Sequence, residues 1–303
     1  MYTLASLASG SERSDFTNAC RHRLLVVAAL STLVAVSVAP VTAALQPTQE
    51  PESLIVKSGP LQLRALLFRP RGTGPFPAVL FNHGSYISAS PMPPGTAAIV
   101  GDVFAKHGYA LLFLFRQGIG LSIGQGTADG DLMENAFKRS GADARNRVQL
   151  ELLEGEELNE VTAALSALRA RPDVDPRRIA VVGHSFGGQL SLVLAERDAR
   201  LRGSVLFGPA AATWERSPML RTRLIEAARR APAPVMIVHA KNDYSVAPGE
   251  AIAAERGRLG KPHLLKIYPP FGANASDGHS MVLLSVPTWE QDVFRFLDPL
   301  MRR

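Results

Sequence analysis

The stretch Ile179-Ala180-Val181-Val182-Gly183-His184-Ser185-Phe186-Gly187-Gly188 decides the fold of this chain. Its first four residues form an apolar, β-branched run typical of a buried strand, and residues 189–195 continue directly as an apolar helical segment. A serine between strand and helix sits in a tight turn at strained backbone angles, where only small neighbours fit. We therefore predict that Ser185 is a nucleophile held above the edge of a sheet. A glycine-rich turn that only caps the helix is the plainer alternative.

Apolar runs of the same kind recur on both sides of this stretch and alternate with helical-period segments. The predicted strands are residues 61–68, 78–81, 110–115, 179–182, 204–207, 235–238 and 264–268. The predicted helices are residues 97–106, 158–169, 189–196, 248–259 and 288–300. Near-continuous apolar strands between helices indicate a parallel sheet covered on both faces. We predict an α/β fold with a mostly parallel, doubly wound sheet of about eight strands and helices on both faces, in one domain over residues 53–303.

Two connections are long enough to cover a site at the edge of this sheet. Residues 117–155 begin with glycine-rich sequence and continue as a mixed-charge, partly helical stretch, and residues 209–232 form a second interruption. Connections of this length in compact domains tend to be functional lids or binding loops. A solvated surface helix without a role in substrate choice is an equally good interpretation of either segment.

A serine hydroxyl needs a base to remove its proton, which directs attention to the seven histidines. His279 stands in the polar segment Asp277-Gly278-His279-Ser280, between the last predicted strand and the last predicted helix. In a doubly wound sheet this loop lies at the carboxyl edge of the strands, where ligands and catalytic groups gather. The other histidines lie in the N-terminal segment, at the ends of predicted elements or beside the nucleophile. We predict that His279 is the base.

The imidazole in turn needs a carboxylate that fixes its tautomer and stabilises the cation that it becomes. Asp243 directly follows the strand predicted at residues 235–238, and the order Ser, Asp, His along the chain fits this arrangement. Asp277 is the rival, but a neighbour on the same short loop rarely reaches the far ring nitrogen of His279. We predict Asp243 as the orienting acid and Asp277 as a loop-capping residue.

Backbone N–H groups are expected to bind the negative oxygen that develops when Ser185 attacks. One is predicted to be that of Phe186, at the start of the helix, and the other that of Ser85, in the segment Phe81-Asn82-His83-Gly84-Ser85-Tyr86 that follows a strand. Such a donor is worth about 3 kcal/mol in the transition state. Gly84 would let the backbone approach closely.

Three side chains next to these positions complete the predicted site. His83 is interpreted as a structural residue that braces its loop, and Tyr86 and His184 are the candidate substrate contacts. No metal ligands are predicted.

The N-terminus has the layout of a secretory signal peptide over residues 1–43. Arg21 and Arg23 precede a run of about fifteen apolar residues, and small residues follow around Ala43 and Ala44, where cleavage is expected. Residues 44–52 resemble a short linker. A retained membrane anchor is the alternative, although the run is short for a bilayer span of about 20 residues. We predict a secreted or periplasmic protein that contacts a membrane only if this segment stays attached.

The composition of the chain bears on its class and on the partners that it could bind. The 303 residues are 46% apolar and 20% charged, as in an ordinary globular protein, and the formal net charge is +6. The basic residues are scattered and lack aromatic interleaving, which argues against nucleic-acid binding. The single cysteine, Cys20, would leave with the signal peptide, so no disulfide or cysteine metal site is expected. The oligomeric state is not predicted.

Residues 60–303 resemble the dienelactone-hydrolase-like and prolyl-oligopeptidase-like branch of the α/β-hydrolases. The resemblance is carried by Asn82-His83-Gly84-Ser85, Gly183-His184-Ser185-Phe186-Gly187-Gly188, Asn242-Asp243-x-x-Val246-x-Pro248, Gly278-His279 and Arg116-Gln117-Gly118-x-Gly120-x-Ser122-x-Gly124. It implies hydrolysis of ester, lactone or related acyl bonds of a small molecule through an acyl-enzyme, without a cofactor. It also implies that Arg116 braces a loop rather than binding substrate.

Two departures from these relatives refine the expected activity. Dienelactone hydrolases proper use a cysteine nucleophile, whereas this chain has Ser185, and the peptidase relatives carry a propeller domain for which 303 residues leave no space. Both favour an exported carboxylesterase-like serine hydrolase. A small peptidase or amidase is the alternative within the same chemistry, and a non-catalytic binding protein on the same fold is the alternative outside it.

Overall fold

The computed structural model describes residues 49–302 and builds them around one eight-stranded sheet. The predicted signal peptide, and the linker up to residue 48, lie outside the described residues. The strands are β1 (Glu52–Ser58), β2 (Leu61–Phe68), β3 (Phe76–Asn82), β4 (Ala110–Leu114), β5 (Val174–His184), β6 (Ser204–Phe207), β7 (Val235–Ala240) and β8 (His263–Tyr268). Their order across the sheet is β1-β2-β4-β3-β5-β6-β7-β8.

The sheet is parallel except at β2, which pairs antiparallel with both β1 and β4. The predicted α/β architecture is thus confirmed, and all seven predicted strands are present. The eighth strand, β1, was not among them. Its side chains alternate between exposed and covered positions, and only Val56 is fully buried, because an edge strand lacks the continuous apolar run of the central strands.

Helices cover both faces of the sheet. They are α1 (Thr96–Lys106), α2 (Asp129–Glu154), α3 (Glu156–Arg169), α4 (Phe186–Arg197), α5 (Pro218–Arg230), α6 (Ala247–Arg258), the short α7 (Ala275–His279) and α8 (Met281–Leu284), and α9 (Val286–Leu300). The five predicted helices are α1, α3, α4, α6 and α9. The two long connections contain α2 and α5, and α2 is kinked at Gly141, whose φ of 76° and ψ of −166° are not helical.

Two apolar layers, one on each face of the sheet, account for the unbroken apolar strands. Val181 and Val182 are neighbours in β5 and both are fully buried, yet Val181 packs in one layer and Val182 in the other. Helices α3, α4, α5 and α6 contribute to the first layer, and α1 and α9 to the second. In the second layer Trp289 is fully buried and donates its indole N–H to the Val282 carbonyl, at 3.1 Å.

Because β5, β6, β7 and β8 run parallel, the segments after their carboxyl ends meet at one edge of the sheet. Ser185 follows β5, Asp243 follows β7 and His279 follows β8. None of the helices between residues 49 and 302 is both long and apolar enough to cross a membrane.

Candidate active site

Ser185 occupies a sharp turn between β5 and α4. Its φ is 55° and its ψ is −117°, a combination that L-residues rarely adopt and that marks functional turns. Glycine is required at the neighbouring positions because a side chain there would collide with the backbone, and not because the turn needs a flexible residue. A Cβ on Gly187 would lie 2.0 Å from the Asn82 carbonyl oxygen, and one on Gly183 would lie 2.1 Å from the Gly187 carbonyl oxygen. The turn therefore has the geometry that the sequence predicts for it.

Asp243 and His279 are joined by a hydrogen bond although 36 residues separate them. Nδ1 of His279 donates to Oδ1 of Asp243 at 2.7 Å, and the carboxylate side chain is only 1% exposed. The amide N–H of Tyr244 donates to the same oxygen, at 2.7 Å. The predicted acid is thus the carboxylate that holds the predicted base.

A second imidazole binds the other oxygen of this carboxylate. Nδ1 of His239, at the end of β7, lies 2.8 Å from Oδ2 of Asp243, and the His239 side chain is fully buried. It packs against Gly249, where a Cβ would lie 2.7 Å from the ring. Burial raises the pKa of Asp243, but the hydrogen bonds from His239 and His279 outweigh burial and hold that pKa well below its ordinary value.

The sequence pattern predicts no role for His239 beyond ending a buried strand. The signal that reveals it is its spacing from Asp243, four residues later, across the end of β7. Such a pair is recognised from sequence only once the strand end and the turn after it are known, because both groups must point to the same side of the chain.

Asp277, the rival acid, has a different role. It forms a capping box with Asn274 at the start of α7, and its Oδ2 accepts the amide N–H of Ala273 at 2.7 Å. The carboxylate is therefore engaged by backbone donors of its own loop, as the sequence predicts.

His184 connects the nucleophile turn to the loop that carries His279. It is buried, and its Nε2 donates to the His279 carbonyl oxygen at 2.9 Å. The two rings lie 4.8 Å apart, and burial followed by the proximity of His279 lowers the pKa of His184 to about 3. The structure does not place this candidate substrate contact in the wall of the cleft.

No hydrogen bond joins Ser185 to the His279 ring within residues 49–302, and such contacts often tighten only when substrate binds.

The loop after β3 approaches the nucleophile closely. A Cβ on Gly84 would lie 3.3 Å from Cβ of Ser185, so the glycine permits the close approach that the sequence predicts. Ser85 is exposed to the cleft, whereas the amide N–H of Tyr86 is engaged by Oδ1 of Asp129 at 3.1 Å. Tyr86, a predicted substrate contact, lines the cleft.

Arg116 and His83 fix the shape of this loop from below. The guanidinium of Arg116 is buried and donates to the carbonyl oxygens of His83 (2.7 Å) and Gly84 (3.1 Å). Nδ1 of His83 donates to the Gly84 carbonyl at 2.7 Å, and its Nε2 accepts the Arg116 amide N–H at 3.2 Å. Burial and the charge of Arg116 lower the pKa of His83 well below its ordinary value. Both residues brace the loop and neither reaches the cleft.

Carboxylates surround Arg116 beneath the loop. Glu157 accepts from its Nε at 2.6 Å and Asp129 from its Nη2 at 3.1 Å. Burial lowers the pKa of Arg116, but these carboxylates and Glu160 outweigh it and raise the value. For the carboxyl group of Glu160 burial has the opposite effect and raises its pKa to about 7. The arginine is thus fully occupied inside the protein.

A cleft of about 660 Å³ opens over Ser185. Phe186 is part of its wall, together with Ser85 and Tyr86. The two segments predicted as lids also contribute: α2 supplies Gly130, Met133, Glu134, Arg145 and Gln149, and the loop before α5 supplies Ala210, Ala212 and Thr213. The side-chain amide of Gln149 on α2 donates to Gln189 on α4 (3.1 Å) and to Thr213 in the loop before α5 (3.3 Å). Between residues 49 and 302, no group of three or more His, Cys, Asp or Glu side chains is arranged to hold a metal ion.

Comparison with known proteins identifies the family of the chain. Residues 63–277 match the dienelactone hydrolase family, and this match spans most of the chain. The chain belongs to the dienelactone hydrolase family. No curated protein matches the sequence.

Solved structures with the same fold include both family members and peptidases. A dienelactone hydrolase from Anabaena variabilis is 18% identical with a TM-score of 0.55, and the match covers 82% of this chain and 99% of that one. An esterase from Pyrococcus furiosus is 14% identical with a TM-score of 0.58, over 84% and 93% of the two chains. The acylaminoacyl peptidase of Pyrococcus horikoshii is 17% identical with a TM-score of 0.60, over 85% of this chain but only 42% of the peptidase. At these identities the likeness concerns the fold.

In this member of the dienelactone hydrolase family, we expect His239 to position Asp243. Substitution His239→Leu removes the donor to Oδ2, which is worth about 1.5–3 kcal/mol for a charged acceptor. The expected kcat is about 10- to 100-fold lower with little change in KM. His239→Asn has the same number of side-chain heavy atoms and the same branching as leucine but keeps an N–H donor, so it should retain most of the activity. Equal kcat values for the two variants, with equal melting temperatures, would contradict this role.

Proposed function

We propose that this protein hydrolyses carboxylic esters through Ser185, His279 and Asp243. The observation that carries the proposal is a strained, solvent-reachable serine in the wall of a cleft. Its neighbour His184 has its ring 4.8 Å from that of His279, which is bound to a buried carboxylate. Strain of this kind persists where the surrounding structure maintains it for function. The match to the dienelactone hydrolase family supports hydrolysis of an acyl bond.

In the proposed mechanism the hydroxyl of Ser185 attacks the ester carbonyl while Nε2 of His279 removes its proton. Nδ1 of His279 is bound to Asp243, so Nε2 is the nitrogen that is free to act as base, and the carboxylate stabilises the imidazolium that forms. His279 then gives the proton to the departing alcohol. A water molecule, activated by His279, then attacks the acyl-enzyme. The oxygen of Ser185 leaves and takes back a proton from His279, and the carboxylic acid is released.

The amide N–H groups of Ser85 and Phe186 are the proposed donors to the developing oxyanion. Phe186 is the first residue of α4, where the helix dipole also favours negative charge. The Tyr86 amide is already engaged by Asp129, which leaves Ser85 as the donor on the neighbouring loop. Each donor is expected to contribute about 3 kcal/mol to transition-state stabilisation.

The experiment that tests this function compares esters with amides. The purified protein is expected to hydrolyse p-nitrophenyl acetate and butyrate with a higher kcat/KM than any aminoacyl p-nitroanilide. A preference for anilides would replace the esterase by a small peptidase, the activity named for the structurally similar Pyrococcus horikoshii protein. A folded protein that turns over neither class would indicate a binding function.

We also propose that the protein is exported to the periplasm or secreted. The basic residues Arg21 and Arg23, the apolar run that follows and the small residues at Ala43 and Ala44 support this. N-terminal sequencing of the mature protein after expression of the full chain tests the proposal. Cleavage near residues 43 and 44 is expected, and an intact N-terminus on a membrane-bound protein would indicate a retained anchor instead.

A further inference from the structure

Asp129 is a buried carboxylate that joins the loop of the proposed oxyanion donor to the support beneath it. It is the first residue of α2 and is fully buried. Its Oδ1 accepts the amide N–H of Tyr86 at 3.1 Å, and its Oδ2 accepts from the guanidinium of Arg116 at 3.1 Å. A carboxylate leaves water at an acceptable cost only where such partners replace its hydration. Both oxygens of Asp129 are therefore engaged by the surroundings of this loop.

The peptide unit that carries the N–H of Ser85 is held at its carbonyl end. This unit is trans, and a trans peptide is planar, so the Ser85 N–H points away from the Gly84 carbonyl oxygen. That oxygen accepts from Arg116 at 3.1 Å and from Nδ1 of His83 at 2.7 Å. The position of the guanidinium therefore sets the direction of the Ser85 N–H, and Asp129 binds that guanidinium.

The next peptide unit of the loop is held by Asp129 itself, because it contains the Tyr86 N–H. Gly130 adds a contact on the far side of Tyr86, since its own N–H donates to the Tyr86 carbonyl oxygen at 3.1 Å. A Cβ on Gly130 would lie 2.4 Å from that oxygen, so the helix approaches the loop as closely as the backbone allows. Asp129 thus acts on both peptide units that flank Cα of Ser85, directly on one and through Arg116 on the other.

A second aspartate of the same helical turn holds the loop farther from the nucleophile. Asp131 accepts the amide N–H of Ser88 at 3.1 Å and also accepts from the Ser88 hydroxyl. Ser88 lies three residues after Ser85 along the loop. The two aspartates therefore anchor the same loop at different points, and they can be compared by the same substitution.

We propose that Asp129 is a positioning residue that fixes the loop after β3, so that the Ser85 N–H is directed at the oxygen that becomes negative when Ser185 attacks. A donor of this kind lowers the barrier because it is in place before the charge develops. The hydrogen bond from Arg116 to the Gly84 carbonyl also polarises the peptide and strengthens its N–H as a donor. This inference rests on the proposed ester hydrolysis and adds a residue on which its rate depends.

The variant Asp129→Ala tests the inference through the kinetics of ester hydrolysis. It removes the acceptor of the Tyr86 N–H and the anion beside Arg116, so the loop and its donor can shift. We expect kcat for p-nitrophenyl butyrate to be about 10- to 100-fold lower, since small displacements of a donor cost this much. KM should change little because Asp129 is fully buried and cannot reach the substrate. Titration with a fluorophosphonate gives the fraction of active protein, to which kcat is referred.

A trifluoromethyl ketone gives a measurement that a merely structural role would not change. The Ser185 oxygen bonds to the carbonyl carbon of 1,1,1-trifluoroheptan-2-one, its proton passes to His279, and the carbonyl oxygen becomes an oxyanion. This adduct resembles the transition state. In Asp129→Ala its inhibition constant Ki should rise by about the same factor as kcat/KM falls. A variant that only lowers the amount of folded protein keeps the wild-type Ki.

The variant Asp129→Asn separates the two contacts of the carboxylate and protects against loss of the fold. Its amide oxygen can still accept the Tyr86 N–H, but its amide nitrogen is a donor and cannot pair with Arg116. Burial raises the pKa values of Glu157 and Glu160, and the charge of Asp129 raises both further, so the variant relieves crowding among these acids. We expect a wild-type melting temperature and a fall in kcat of about tenfold.

The matched control is Asp131→Ala, which frees the loop at Ser88. It should change kcat and Ki by less than about threefold, because the contacts of Asp129 remain in place. Equal losses in Asp129→Ala and Asp131→Ala would overturn the inference, as would unchanged kcat and Ki in Asp129→Ala. If Asp129→Ala does not fold, the same comparison between Asp129→Asn and Asp131→Ala decides.

The wild-type protein distinguishes failure of this inference from failure of the proposed function. A wild-type protein that hydrolyses no ester and is not inhibited by the ketone would refute the proposed function and this inference with it. Wild-type ester hydrolysis and ketone inhibition, both unchanged in the two Asp129 variants, would refute the inference alone. Parallel changes in kcat/KM and Ki that are confined to the Asp129 variants support it.

Discussion

Ser185→Ala is expected to lower kcat/KM for p-nitrophenyl butyrate by about 10⁴-fold or more. The variant removes the hydroxyl that His279 activates for attack on the carbonyl, while the oxyanion donors and the cleft remain. A fluorophosphonate probe is expected to label the wild-type protein at Ser185 and to leave the variant unlabelled, as measured by peptide mass spectrometry. Full turnover by the alanine variant would refute the proposed mechanism.

Ser185→Gly provides the control for folding. It lacks the hydroxyl as alanine does, but glycine adopts a φ of 55° without strain. We expect it to be as inactive as Ser185→Ala and more stable than the wild-type protein by about 1 kcal/mol. Thermal unfolding of the three proteins measures the difference. If Ser185→Gly instead unfolds at a lower temperature than the wild-type protein, its inactivity reflects loss of the fold and not loss of the hydroxyl.

The second large effect is expected at Asp243. In Asp243→Asn the negative charge that stabilises the His279 imidazolium is lost, and the amide can present its N–H to the ring in place of an acceptor. A wrong tautomer of this kind lowers kcat by about 10⁴-fold. Steady-state kinetics with p-nitrophenyl butyrate measures the loss, and KM should change little because the carboxylate lies behind the base, 1% exposed.

Asp277→Asn is the matched control, since this aspartate lies two residues from His279 and accepts hydrogen bonds from backbone N–H groups of its own loop. We expect a decrease in kcat of less than about tenfold, from weakened capping of α7. If Asp277→Asn is as inactive as Asp243→Asn, the acid has been assigned wrongly.

The central part of the fold was predictable because burial on both faces leaves an unmistakable apolar run. That signal identified β5 and the turn at Ser185, and the same logic placed His279 at the carboxyl edge. It failed for β1, where Val56 alone is fully buried. It also left α2 and α5 undefined, because α2 carries a mixed-charge sequence interrupted at Gly141.

The contacts that side chains of the site make with neighbouring elements could not be predicted from the sequence. His239 is bound to Asp243 only because the turn after β7 reverses the chain toward it. Arg145 reaches the cleft only because α2 packs beside α4 and α5. Such contacts depend on how separate elements lie against one another, and neither periodicity nor motif spacing carries that information.

The kink at Gly141 gives each half of α2 its own anchorage. Before it, the amide N–H of Tyr86 is held by Asp129, at 3.1 Å. After it, Asn146 and Gln149 are tied to the segment that precedes α5. Both halves of α2 line the cleft, so the direction of the chain at Gly141 sets how these two parts of the cleft wall lie relative to each other. Ser185 and Asp243, which follow β5 and β7, belong to neither anchorage of this helix.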